Sequence, residues 1–87
     1  MAYRLEYRAS VKNELRKLSQ IDRTVVIGKI EQLKNEPKPV GSAKLKGSSN
    51  LFRIRHGDYQ VIYQIKKEIL VIIVIRIGHR REIYKKL

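Results

Sequence analysis

Eighty-seven residues with no cysteine and only two histidines make a single domain, 1–87, and exclude a disulfide framework, a thiolate metal site and a histidine-rich metal cluster. Twenty Lys and Arg against eight Asp and Glu give a net charge of +12, which favours a polyanionic partner, nucleic acid or ribosome first. The N-terminus lacks an apolar signal region, and the longest apolar run, 69–75, is far shorter than the ~20 residues of a membrane helix. A cytoplasmic protein without a membrane partner is the expectation.

Taken in chain order, 2–8 alternates enough for a first strand, with Tyr3, Leu5 and Tyr7 on one side. Ser10 is placed to cap a helix running to about Leu18, with Val11, Leu15 and Leu18 at helical spacing. Ser19-Gln20-Ile21-Asp22 fits a loose capping box and opens a second helix to about Asn35. There Val26, Ile27, Ile30 and Leu33 form the apolar stripe, and Pro37 and Pro39 end the helix. The two helices are predicted to form an antiparallel hairpin. A loop with a short extended piece at 43–46 and a turn at 47–50 follow.

Residues 51–64 read as a β-hairpin, two alternating runs separated by Gly57-Asp58, where glycine supplies the positive φ of a tight turn. A two-residue loop pairs His56 with Tyr59, Arg55 with Gln60, Ile54 with Val61 and Arg53 with Ile62. Phe52, Ile54, Val61, Tyr63 and Ile65 then share the core face, while Arg53, Arg55 and Gln60 share the other. After a polar turn at 66–68, Ile69–Ile75 is uniformly apolar and β-rich, a central strand buried on both faces and broken at Gly78. The tail from His79 is polar and helix-compatible. These elements imply an α+β fold: a helical hairpin packed on a mostly antiparallel sheet of four to five strands, with a short C-terminal helix.

If the central strand lies beside 59–65, Gly78-His79-Arg80 emerges near Arg55 and Gln60. Arg53, Arg55, Arg80, His79 and Tyr84 would then surround one concavity. Opposed carboxylates for glycoside hydrolysis and an acidic cluster for two metals are both missing from the sequence. Attack of an RNA 2′-hydroxyl on its own phosphate, with guanidinium groups stabilising the developing charge, stays open. Non-catalytic binding of RNA or protein stays open beside it.

Leu45-Lys46-Gly47, the hairpin from Leu51 to Tyr63, and Ile77-Gly78-His79-Arg80-Arg81-Glu82-Ile83-Tyr84 resemble the RelE/ParE toxin superfamily, and its RelE branch most. The resemblance spans nearly the whole chain. It implies the toxin half of a type II toxin–antitoxin pair, an endoribonuclease that cuts mRNA in the ribosomal A site and leaves a cyclic phosphate. It also implies a RelB-like antitoxin partner, through which the pair binds operator DNA, and neither cofactor nor metal. The family's basic hairpin pair falls on Arg53 and Arg55, its arginine after the glycine on Arg80, and its late tyrosine on Tyr84. Gln60 stands where relatives carry an arginine, a departure that removes one cation. Arginine is a poor general base because it stays charged, so His79 is the better proton carrier on reference pKa, and Tyr84 is placed to stack on a base. Gln60, Lys44, Lys46 and Arg81 are the expected RNA contacts. Two other readings remain: a ParE-like inhibitor of DNA gyrase that is no enzyme, and an inactive relative that only binds its antitoxin.

Overall fold

The computed structural model describes residues 2–82. Its elements are β1 (Arg4–Tyr7), α1 (Val11–Arg16), α2 (Gln20–Gln32), β2 (Ala43–Lys44), β3 (Leu51–His56), β4 (Tyr59–Lys66) and β5 (Val71–His79). One sheet holds all five strands in the order β1-β5-β4-β3-β2, antiparallel except where β1 joins β5 in parallel. This is the α+β architecture of two helices on an open, mostly antiparallel sheet. The C-terminal helix expected in the tail from His79 falls mainly on 83–87, which lie outside the described residues, and 80–82 form a turn. Among the described residues no helix is long and apolar enough to cross a membrane.

The helices cover one face of the sheet. Val11 of α1, Leu18, and Val26, Ile30 and Leu33 of α2 or its end are buried with Phe52, Ile54, Val61, Tyr63 and Ile65. The expected hairpin face is therefore the core face. One position of the expected α2 stripe differs, Ile27, which is 38 % exposed at its rim; Tyr7 is 42 % exposed where β1 ends. The Ser19 hydroxyl accepts the N–H of Asp22 at 3.1 Å, so the second helix is capped as its sequence suggests. Ser10 makes no such side-chain bond. The C-terminus of α1 is held instead by Arg23, whose Nε and Nη2 donate to the carbonyls of Leu15 and Leu18 at 3.1 and 3.0 Å. A cation there also complements the negative end of the helix.

Asp22 leaves the capping box open and reaches across to the hairpin, where its Oδ1 accepts from His56 Nε2 at 2.9 Å. That bond and a second to Ser19 hold the Asp22 carboxyl below the usual carboxylate range. A lowered folded pKa stabilises the fold above the ordinary carboxylate pKa, and the contribution is lost as pH falls through the folded value. Acid unfolding followed by circular dichroism below about pH 4 should accordingly be shallower in Asp22→Asn than in the parent. An unchanged acid limb would show that the bond carries no linkage.

The central strand departs from its predicted limits at both ends. Ile69 belongs to a 3-10 turn, Lys67–Ile69, and is 62 % exposed, because Leu70 turns left-handed (φ 54°) before the strand starts. Gly78 does not break the strand; it pairs with Gln60, and His79 pairs with Tyr59. Sheet hydrogen bonds need only backbone, and the β4 partner carries β5 past the glycine.

Within the strand, Ile62 pairs with Arg76 but Tyr63 pairs with Val74, so Ile75 is the extra residue of a β-bulge. Strict alternation from Ile72 and Val74 would drive Arg76 into the helix-side core. The added residue changes the parity, so Ile77 enters that core. Ile75 packs on the other face with Ile62, Leu45, Leu51 and Ile73.

Candidate functional site

The hairpin has the predicted register, His56 to Tyr59 through Arg53 to Ile62, closed by Gly57 at φ 57°. Three strands then line up at one end of the helix-free face. Arg55 pairs with Gln60, and Gln60 with Gly78. Two residues past Gly78, the Arg80 backbone N–H donates to the Asp58 carbonyl at 2.8 Å and pins the strand exit against the hairpin turn. Arg53, Arg55 and Arg80 thus come to one end of the sheet. Arg55 and Arg80 are exposed and Arg53 is half-buried. Behind them lies the apolar patch of Ile62, Ile75, Leu45 and Leu51. Guanidinium groups keep their charge at any physiological pH and offer several donors in a fixed fork, which suits a phosphate.

Other expected members of the site lie elsewhere. His79 sits opposite Tyr59, and the two rings meet edge to face at 6.1 Å. Tyr59 packs on the helix-side core, so His79 is on the face away from Arg53 and Arg55. The bulge is the reason: an unbroken alternation would have left His79 beside the arginines. Its Nδ1 accepts the N–H of Arg81 at 3.2 Å. Lys44 pairs with Phe52 and so belongs to the helix side, whereas Ala43, its neighbour, pairs with Arg53. Gln60 is 2 % exposed and engaged within the protein, so its amide belongs to the floor of the sheet rather than to an open RNA contact. Lys46 is exposed and lines a shallow depression of about 540 Å³ with Arg53 and Leu51. Arg81 is exposed on the terminal turn, and Tyr84 lies outside the described residues.

Sequence reasoning passed over Arg76 and Glu14. Arg76 is the one cation within an otherwise apolar strand, and that interruption was the available signal. Glu14 accepts the Ile77 N–H through Oε1 at 2.9 Å, and its Oε2 lies 3.6 Å from Arg76 Nε. Nothing in its own helix marks it. Lys29 is likewise structural in part, donating to the Arg55 carbonyl at 2.8 Å along the free side of β3.

Residues 5–84 match the model of a family described as the ParE toxin of the type II toxin–antitoxin system parDE. Among curated proteins the chain is similar to Toxin RelG of Mycobacterium tuberculosis, 29% identical over 87 residues that cover 99% of this chain and 100% of the relative. It is 30% identical to the mRNA interferase toxin RelE of Escherichia coli over 90 residues, covering 99% of this chain and 94% of the relative. Among solved structures, the RelE–RelB complex of Pyrococcus horikoshii superposes with a TM-score of 0.81 at 29% identity, covering 92% of this chain and 97% of that one. The intact E. coli RelBE complex gives 0.79 at 28% identity, covering 90% and 96%. Sequence, architecture and the length of the match agree: the chain belongs to the RelE/ParE family of type II toxin–antitoxin toxins.

Proposed function

We propose that this toxin is an endoribonuclease that cuts mRNA on the translating ribosome and thereby arrests translation. The observation that carries the reading is the convergence of Arg53, Arg55 and Arg80 through the Arg55–Gln60–Gly78 register and the Arg80–Asp58 bond. The E. coli relative named as an mRNA interferase supports it. In this reaction the ribose 2′-hydroxyl attacks the adjacent phosphorus and loses its proton. The bond to the 5′-oxygen of the next nucleotide breaks, and that oxygen takes up a proton. The products are a 2′,3′-cyclic phosphate and a 5′-hydroxyl end. The arginines hold the phosphate and stabilise the charge that builds on its equatorial oxygens. Tyr84 keeps the stacking role that the family resemblance gives it. His79, turned to the Tyr59 side, is assigned no proton transfer. A RelB-like antitoxin is the partner that restrains the toxin, as the relatives' complexes suggest.

Primer extension on a reporter message, after brief induction of the chain with and without translation, tests this. Cuts within codons that require translation are the expected result. The family model's own description favours a second reading, a gyrase poison of the ParE kind. Intact message together with accumulating DNA breaks would select that branch.

A further inference from the structure

β1 covers β5 only as far as the Tyr7–Val74 pair, and beyond it no strand among the described residues pairs with that edge of β5. Helix α1 comes up to this edge. The Glu14 carboxylate takes the Ile77 N–H and lies beside Arg76, whose Nε is buried without a hydrogen-bond partner; at 3.6 Å the Glu14 contact is too long for one. Arg8 and Lys17 join Arg76 around a depression of about 310 Å³. Three cations therefore surround one carboxylate, and one oxygen of that carboxylate is already committed to the strand. A neighbouring cleft of about 190 Å³ shares Glu14, Lys17 and Arg76 and runs on to Gly78, His79 and a second carboxylate, Glu82. The strip thus leads along the strand to the exit that carries Arg80. At about 3.3 Å per residue, Arg76 and Arg80 stand roughly 13 Å apart along the chain, a span of a few nucleotides.

We propose that this edge of β5 is a second phosphate-binding site, built from Arg8, Lys17 and Arg76, which holds the RNA backbone flanking the phosphate that is cut. The inference rests on the endoribonuclease reading above. It names a polyanion rather than a peptide because strand addition here needs the Ile77 N–H, which Glu14 occupies. A phosphate chain needs only the cations. The backbone belongs either to the message or to ribosomal RNA, and the chemistry is the same for both.

The test uses the full chain and fluorescent 2′-O-methyl RNA, which cannot be cut, as a trinucleotide and as a dodecanucleotide, with purified ribosomes as a separate titrant. Lys17→Ala with Arg76→Ala should weaken the dodecanucleotide severalfold and leave the trinucleotide unchanged. The logarithmic salt dependence should fall by about 0.7 for each cation that loses a phosphate. Glu14→Gln keeps an acceptor for Ile77 and removes the competing charge, so it should tighten binding, whereas a purely structural role would weaken it in both variants. A loss seen with free RNA identifies the message as the source; a loss seen only with ribosomes identifies ribosomal RNA. A loss on the trinucleotide equal to that on the dodecanucleotide, or variants that bind RNA and ribosomes as tightly as the parent, would overturn the site. Wild-type protein that ignores RNA and ribosomes alike would instead defeat the parent reading.

Discussion

Arg55→Ala and Arg80→Ala should each reduce the rate of message cleavage by about 10²–10³-fold while the protein stays folded. That is the loss found when one preorganised donor is removed from a developing oxyanion, about 2.7–4 kcal/mol of barrier. Both side chains are exposed, so neither deletion opens a cavity in the core. Arg55→Lys should retain part of the activity, because a lysine keeps the charge but not the bidentate fork. Single-turnover cleavage on programmed ribosomes, with circular dichroism to confirm folding, separates these outcomes. Folded variants that cut as fast as the parent would remove the arginine cluster from the chemistry.

The largest effect on stability is expected at Tyr63. Its side chain is fully buried at the centre of β4, stacked on Phe52 with ring centroids 6.0 Å apart. The hydroxyl donates to the Pro37 carbonyl at 2.6 Å, which ties the loop after α2 to the sheet. Tyr63→Ala should cost about 3–5 kcal/mol, the range for an aromatic side chain removed from a core. A domain of this size has only about 5–15 kcal/mol to lose. Tyr63→Phe should cost nearer 1 kcal/mol through the lost hydrogen bond. Burial pushes the phenol up to about 12, against a smaller lowering by Ser42. A raised folded pKa gives stability that is complete below the unfolded value near 10 and lost as pH rises through the folded value. The unfolding free energy from denaturant titrations should therefore fall between pH 9 and 12 by an amount of order 2 kcal/mol more in the parent than in Tyr63→Phe. Parallel curves would show that Tyr63 does not set the alkaline limit.

What could be read in advance and what could not has a local cause in each case. The hairpin register was legible because a glycine turn and strict alternation agree, and a slip by one residue would have exposed every apolar side chain. The start of α2 was legible from Ser19, although the partner of Asp22 was not, since His56 lies far along the chain. The bulge at Ile75 left no trace in a run of interchangeable β-branched residues. It nevertheless decides which face takes Arg76 and which takes His79. Arg53, Arg55 and Arg80 thus lie at one end of the sheet, and His79 lies on the opposite face. The end of β5 was not legible because glycine disfavours a strand locally, whereas pairing with β4, a distant contact, carries the strand through Gly78. The two-residue pairing of β2, which sets Lys44 on the helix side, leaves no signal in so short a segment.

The parallel pairing of β1 with β5 joins the beginning of the chain to its last strand. During synthesis β1 and both helices are made before β2 to β5, the rest of the sheet among the described residues. The local pairs β3–β4 and β4–β5 form readily once made, but β1 must wait for the final segment before it finds its neighbour. The Arg80 anchor to Asp58 is made from the same late residues. The end of the sheet that gathers Arg53, Arg55 and Arg80 is therefore assembled later than the strand that carries the first two, once β5 has been made.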